Sequence, residues 1–249
     1  MDFEEYEAMY RAEAVHWWYR GMATIVTALI RRFYPRGEGL RILDAGCGTG
    51  AFVSRLSEHG RVTGFDMSPH AIHFCRLRNH RRILRASVME IPFADASFDL
   101  VTCLDVLYFR HIRDEDTLRE IFRVLVPGGR AIVRVPAYDR LRGVHDEKVS
   151  TAHRYGRREL AEKMSRSGLP PTFITHANTI LFPLALVKRL SEPWLPRQSG
   201  SDLVLDVGGL SGLLEACLHL ESRLLGRWVL PFGLSIIAVG EKPPNKEFP

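Results

Sequence analysis

Residues 41–50 read RILDAGCGTG, and this stretch decides the fold. Its first half is a short apolar run, which is typical of a buried strand, and its second half is rich in glycine. Apolar residues follow at helical spacing at Phe52, Val53 and Leu56. The order is therefore strand, glycine turn and helix, and glycines at this point let a ligand approach the backbone closely.

The same alternation continues on the C-terminal side of this stretch. Strands are predicted at 61–68, 81–87, 98–106 and 130–136, with helices from Pro69 and from Asp114 to Leu125. Further on, the pattern predicts a helix over 157–167 and strands near 173–176 and 234–239. Strands that alternate with helices predict an α/β fold with a doubly wound, mostly parallel sheet, helices on both faces and an antiparallel last strand.

Two segments lie outside this alternation, within what we predict to be a single domain over 1–249. Residues 1–36 are predicted to form an N-terminal helical cap. Residues 178–232 are leucine-rich and too long for an ordinary connection, so we interpret them as a helical insertion before the last strand. This insertion is either a lid or substrate cap, or a dimer surface, and sequence patterns do not separate these alternatives.

Composition and charge exclude several classes of protein. With 249 residues, 46% of them hydrophobic, the chain is long enough to bury one sizeable core and is not of disordered composition. Its four cysteines are far apart, which predicts neither a metal site nor a disulfide framework. The acidic N-terminus and the short apolar stretches predict no export signal and no membrane span, hence a cytoplasmic protein.

The net charge of +5 favours anionic partners only weakly. Basic residues cluster between Arg76 and Arg85, but no aromatic residues alternate with them as they do in many nucleic-acid sites. We interpret the cluster as a solvated junction between a helix and a strand, and we do not predict nucleic-acid binding.

The glycine spacing indicates which kind of ligand is bound. It is G-x-G-x-G, whereas dinucleotide sites have G-x-G-x-x-G, so a nucleoside cofactor other than a dinucleotide fits better. Asp66 ends the next strand in GFDMS, where a carboxylate can accept both hydroxyls of a ribose.

Four motifs then occur in a fixed order: LDAGCGTG, GFDMS, EIPFADASFDLVTCLDVL and LREIFRVLVPGGRAIVRVPA. From about Arg41 to Ala137 the chain thereby resembles the class I S-adenosylmethionine (SAM) dependent methyltransferases of the bacterial small-molecule type. The resemblance implies a Rossmann-like sheet, SAM as the cofactor and S-adenosylhomocysteine as its product.

The resemblance also implies a set of cofactor-binding residues. The glycines flank the methionine part of SAM, Asp44 orients its amino group, Asp66 holds the ribose and Met67 covers the adenine. Ser87 stands where relatives usually have an aspartate, which implies weaker adenine anchoring. The full set implied along the motifs is Asp44, Gly46, Cys47, Gly48, Gly50, Asp66, Met67, Ser87, Val88, Leu104 and Asp105.

A narrower resemblance involves HWWYRG at 16–21, VHD at 144–146 and HRY at 153–155, which a subgroup of bacterial methyltransferases shares. Three consecutive aromatic residues cannot share one helix face, so at least one belongs to the core and another, such as Trp17, closes over the cofactor. Arg20 is a candidate partner for the methionine carboxylate, because a guanidinium matches a carboxylate in a bidentate manner. The alternative is a solvated surface arginine.

Methyl transfer needs alignment and a deprotonated acceptor. His145 and Asp146 follow a strand at the ligand-binding end of the sheet, so they are candidates for a base and its orienting carboxylate, or alternatively a helix cap. The other candidate bases or substrate contacts are His153 and Tyr155.

These patterns predict a SAM-dependent methyltransferase that acts on an oxygen, nitrogen or carbon of a small organic substrate, in natural-product or cell-envelope tailoring. One alternative is a SAM-binding enzyme of this fold that catalyses another reaction. A further alternative is an RNA or protein methyltransferase. A homodimer is compatible with the apolar insertion.

Overall fold

A seven-stranded sheet lies at the centre of the computed structural model, which describes residues 2–35, 39–141, 151–191, 210–225 and 228–244. The strand order is β3-β2-β1-β4-β5-β7-β6. The strands are β1 (Leu40–Ala45), β2 (Gly60–Asp66), β3 (Ile83–Arg85), β4 (Phe98–Leu104), β5 (Leu125–Pro136), β6 (Pro171–Ala177) and β7 (Ser235–Glu241).

The strand directions give the sheet one carboxyl edge. Strands β1 to β5 pair in parallel, and β7 pairs antiparallel with both β5 and β6. Strand β6 therefore runs in the same direction as β5. The chain order reverses between β1 and β4, which is where open α/β sheets bind ligands. The mostly parallel, doubly wound sheet with an antiparallel last strand is confirmed.

Eight helices cover the sheet within the described ranges, and their apolar faces explain their positions. Helices α5 and α6 pack on one face of the sheet, and helices α2, α3 and α8 pack on the opposite face. The helices are α1 (Phe3–Val15), α2 (Trp17–Phe33), α3 (Ala51–Leu56), α4 (Pro69–Leu77), α5 (Asp114–Val124), α6 (Arg157–Arg166), α7 (Phe182–Ser191) and α8 (Ser211–Leu225).

Helices α2 and α8 pack closely although about 195 residues separate Thr24 from His219, whose side chains are in contact. A glycine makes this approach feasible, because a Cβ atom at Gly21 would lie 2.4 Å from the Leu218 side chain. Helix α8 therefore fills the outer layer on one face of the sheet, beside the N-terminal part of the chain.

Most predicted elements are present, with one difference at β5. The helix predicted to end at the PGG sequence ends at Val124, but the strand begins directly at Leu125, not after the glycines. The pairing register shifts between Phe98 and Leu100, so the PGG residues are accommodated as an irregularity in the strand. Within the described ranges, no helix has the length and apolar character needed to cross a bilayer.

Candidate active site

The glycine-rich loop connects β1 to α3 at the carboxyl edge of the sheet. Gly46, Gly48 and Gly50 have φ angles of 80°, 54° and 85°, in the left-handed region where other residues are strained. A Cβ atom at Gly46 would also lie 2.4 Å from the Val106 side chain. The loop thus takes a path that requires glycine and brings backbone next to any ligand at this edge.

Asp66 joins the end of β2 to this loop. One carboxylate oxygen accepts a hydrogen bond from the Gly48 backbone N–H at 3.1 Å, and the other accepts one from the Ser68 N–H at 2.9 Å. Each oxygen keeps a further lone pair, so the carboxylate can still accept the two hydroxyls of a ribose. The geometry suits the ribose role that the resemblance implies.

Asp44 lies at the end of β1 and is almost fully buried. Burial raises the pKa of its carboxyl to about 7, and the nearby Asp66 raises it as well. The Thr102 hydroxyl on β4 donates a hydrogen bond to it at 2.7 Å and opposes this rise. The carboxylate is thus held in place beneath the loop.

Helix α1 lies over the loop and adds a third acid. Glu13 accepts a short hydrogen bond from Thr49 and pairs with Arg78 at 3.3 Å. Burial raises the pKa of the Glu13 carboxyl, and that of Asp66 also. Nearer the helix start, a Cβ atom at Gly48 would lie 3.2 Å from the Met9 methyl carbon.

The charge at this edge matches one kind of cofactor. Besides its burial, the charges of Asp66 and Glu13 both raise the pKa of Asp44, so the three acids lie close together. SAM carries two positive groups, a sulfonium and an ammonium, whereas a dinucleotide brings an anionic pyrophosphate. An acidic surrounding stabilises the former and repels the latter. The residues present therefore fit SAM.

A second group of residues borders the loop at the end of β4. Asp105 has a φ of 59° and accepts hydrogen bonds from the Arg134 guanidinium on β5, one of them at 3.0 Å. That guanidinium also lies 5.4 Å from the centre of the Trp18 ring. Burial, together with Glu13 and Asp105, raises the pKa of Tyr19. Helix α2 therefore reaches this edge through Trp18 and Tyr19.

The remaining residues implied along the motifs follow the same edge. Met67 is half-exposed directly after β2, and the Ser87 hydroxyl accepts a hydrogen bond from the Met89 N–H at 3.2 Å. Val88 is buried, Leu104 packs against the core at the end of β4, and Cys47 is buried with its sulfur 3.9 Å from that of Cys75.

Two of the predicted cofactor contacts are directed elsewhere. Trp17 is the first residue of α2, its side chain is buried in the core, and its ring nitrogen has no partner among the described residues. Arg20 pairs with Glu215 on α8 at 3.1 Å and lines a groove between α2 and α8. Helical geometry explains both positions, because Trp18 and Tyr19 occupy the side of the helix that faces the loop.

The predicted catalytic residues have different surroundings. His145 and Asp146 lie outside the described residues. His153 is half-buried, and its Nε2 lies 2.9 Å from a Glu159 oxygen. Tyr155 is fully buried, and its hydroxyl donates toward the Leu107 carbonyl and the Asp114 carboxylate. This burial favours a structural contact for Tyr155, whereas His153 remains accessible.

Known proteins resemble this chain over the part that carries the candidate site. Residues 43–133, which contain the loop, Asp66 and Asp105, match the family model described as a methyltransferase domain. Over residues 43–133 the chain is therefore similar to a methyltransferase domain. The acidic surroundings of the loop fit SAM, the cofactor that the resemblance implies.

Relatives and solved structures extend the comparison. The chain is 39% identical over 105 residues to the demethylmenaquinone methyltransferase of Lactococcus lactis, a match that covers 38% of this chain and 41% of the relative. The chain spans about half the length, or less, of the curated relatives it matches first.

Among solved structures, a Haloferax volcanii complex of the Trm112 methyltransferase activator with a protein described as a methyltransferase gives a TM-score of 0.64 at 22% identity, covering 99% of this chain and 98% of that one. The [4+2]-cyclase SpnF gives a TM-score of 0.58 at 22% identity, covering 89% and 82%. These likenesses show the fold.

Sequence patterns did not identify several residues of the candidate active site. Glu13, Tyr19 and Arg134 reach the carboxyl edge only through the packing of α1 and α2 and through the position of β5. Their signal in the sequence was weak. For Arg134, an arginine within the apolar strand 130–136 would have indicated a buried partner, since buried charges are paired.

Proposed function

We infer that this protein transfers the methyl group of SAM to a small organic molecule. The observation that carries the inference is the contact between Asp66 and Gly48, which places an acid for the ribose beside a loop of three left-handed glycines. The named relative from Lactococcus lactis acts, by its name, on demethylmenaquinone, which is a small molecule.

SAM would supply an activated methyl group, and the residues of this chain would hold it at the carboxyl edge of the sheet. In this proposal Asp66 binds the ribose hydroxyls, and the glycine loop with Asp44 lies against the methionine part. Glu13 contributes negative charge from α1 that favours the positively charged groups of SAM. Met67, Ser87 and Val88 border the adenine.

The acceptor site is proposed at the same edge, next to β4 and β5. His153 lies there because bridges join Phe109 to Thr151 and Ala137 to Tyr155, on either side of it. Glu159 holds its Nε2, which leaves Nδ1 for an acceptor. His145, Asp146 and Tyr155 are further proposed catalytic residues from the sequence, and Tyr155 is the least accessible of the described ones.

Two other activities remain as alternatives to methyl transfer to a small molecule. The likeness to the [4+2]-cyclase SpnF favours, as a second candidate, a SAM-binding protein that catalyses another reaction on this fold. Methylation of RNA or protein is the third candidate. The three differ in where the methyl group of SAM ends.

The test is to incubate the purified protein with methyl-labelled SAM and a fractionated extract of its source cells. Label in a low-molecular-weight organic fraction supports the proposal, and we expect Asp66→Ala to abolish it at limiting SAM. Label that precipitates with acid and is lost after ribonuclease favours RNA methylation. Tight binding of SAM without any transfer, together with a product formed from an extract component, favours the second candidate.

A further inference from the structure

Tyr138 and His176 lie at the carboxyl edge of the sheet, outside the motifs discussed so far. Strand β5 ends at Pro136 and β6 ends at Ala177, and both of these residues pair with Ser235 of β7. The two strand ends are therefore level with each other. Tyr138 follows β5 by two residues, so both side chains lie on the edge that carries the glycine loop.

A hydrogen bond joins the two side chains in a defined direction. The Tyr138 hydroxyl oxygen lies 3.1 Å from His176 Nε2, and His176 Nδ1 lies 3.3 Å from the Leu230 carbonyl oxygen. Because a carbonyl only accepts, Nδ1 carries the hydrogen and Nε2 carries the lone pair. The Tyr138 hydroxyl therefore donates its proton to His176.

The surroundings leave the tyrosine oxygen able to accept a proton. Burial raises the pKa of Tyr138, and the nearby Gly233 backbone opposes this rise. A Cβ atom at Gly233 would lie 2.3 Å from the Ala177 carbonyl oxygen, so glycine is needed for this close approach. Because the hydroxyl donates its hydrogen to His176, the oxygen still has lone pairs that can accept a proton from a third group.

The backbone and the neighbouring rings indicate what that third group belongs to. Tyr138 has a φ of 58°, which is uncommon for a residue other than glycine and is often found where function requires it. The Phe182 ring lies 5.9 Å from the Tyr138 ring, and the Phe232 ring lies 5.5 Å from Phe182. These rings are inclined to one another by 62° and 52°, and they form an apolar cluster beside the Tyr138 side chain.

We propose that Tyr138 and His176 together accept the proton of a hydroxyl group on a largely apolar acceptor. This proposal deepens the proposed function and rests on it. The acceptor's proton passes to the Tyr138 oxygen as the Tyr138 proton passes to His176 Nε2. The acceptor oxygen forms its bond to the methyl carbon as the bond from that carbon to sulfur breaks, and His176 later releases its proton to solvent.

Before the step, the relay requires a neutral His176 and a Tyr138 that carries its proton. Burial lowers the pKa of His176, and the charge of Arg157 on α6 lowers it further, so the imidazole is neutral near pH 7. Burial raises the pKa of Tyr138, so the phenol keeps its proton until His176 takes it. The pair is thus ready to accept a proton at neutral pH.

The first test does not need the acceptor. Nitrogen NMR of histidine-labelled protein, with His176 assigned by the His176→Gln variant, is expected to show hydrogen on Nδ1. The Tyr138→Phe variant should then shift the Nε2 resonance of His176 while the protein stays folded. A hydrogen on Nε2 in the wild-type protein would overturn the relay.

The second test measures label transfer from SAM against pH. The Tyr138→Phe and His176→Gln variants should each lower the rate of label transfer by roughly 10²–10⁴-fold. Each should also remove the acidic limb of the profile, which is the fall in rate at low pH. The affinity for S-adenosylhomocysteine should be unchanged. The matched controls are Tyr34→Phe, which loses a hydrogen bond to the Asp99 carbonyl at the opposite edge, and His59→Gln, which alters another buried histidine. Both controls should retain the wild-type profile.

Two results would contradict the relay even if methyl transfer is observed. The first is a Tyr138→Phe variant whose transfer rate and fall in rate at low pH are both unchanged. The second is a fall in rate at low pH that disappears only in the His153→Gln variant. If the wild-type protein transfers no label at all, the proposed methyl transfer fails, and the NMR result alone then decides whether Tyr138 and His176 form the pair.

Discussion

At the scale of single residues, the position along a strand was the most informative signal. Asp66 was predicted as a ribose ligand because it ends β2, and its carboxylate indeed lies against the glycine loop. Glu13 was not predicted, since its contact with Thr49 spans 36 residues and depends on how α1 packs. Sequence patterns identify what a strand presents at its end, but not what a separate helix places over it.

The role of Asp66 leads to a first prediction. The Asp66→Asn variant keeps the shape and an acceptor oxygen but loses the negative charge, so its affinity for S-adenosylhomocysteine should fall by about 10–100-fold. Isothermal titration calorimetry measures this change. Glu58→Gln is the control, because Glu58 is an exposed acid on the far side of α3. Equal affinity of Asp66→Asn and the wild-type protein would show that the ribose assignment is wrong.

At the level of helices and strands, the spacing of apolar residues predicted well which elements exist. It predicted less well how these elements pack together. The helix from Asp114 and the strands around the motifs were predicted within a few residues, since apolar spacing fixes them locally. The start of β5 at Leu125 was missed, because PGG usually ends regular structure. The contact of α2 with α8 was also not predictable, since no local pattern reports a partner almost 200 residues away.

That contact gives the second prediction. The Gly21→Ala variant places a methyl group 2.4 Å from the Leu218 side chain, so we expect the free energy of unfolding to fall by about 1–3 kcal/mol. Urea unfolding followed by circular dichroism measures the change. In the control Gly212→Ala, on α8, the new methyl group meets no atom within 4 Å, and stability should be unchanged or slightly higher. Equal stability of both variants would contradict the proposed closeness of α2 and α8.

At the scale of the whole molecule, the N-terminal part and the sheet are held together across the cofactor edge. Arg78 at the end of α4 donates to the Thr49 carbonyl at 3.0 Å and to the Tyr10 carbonyl at 2.9 Å, and it pairs with Glu13. Its guanidinium also lies 4.2 Å from the centre of the Tyr10 ring. The sequence analysis interpreted the basic cluster between Arg76 and Arg85 as a solvated junction. Arg78 belongs to this cluster, but it binds α1.

The third prediction concerns this attachment. The Arg78→Ala variant should loosen α1, and the loss of one charged hydrogen-bond network predicts an increase of about tenfold in cleavage near the N-terminus during limited proteolysis. S-adenosylhomocysteine should slow this cleavage in the wild-type protein. The control is Arg76→Ala, two residues earlier and exposed on the same helix. Identical cleavage of the two variants would mean that Arg78 does not hold α1.

The position of α1 also has a consequence for the kinetics of the enzyme. Because Met9 and Glu13 lie against the glycine loop, we expect a cofactor bound there to leave through an opening in which α1 moves away. Under the proposed function, every catalytic cycle then includes one such opening for product departure. The frequency of that opening sets an upper limit on kcat, however fast the bond-making step is.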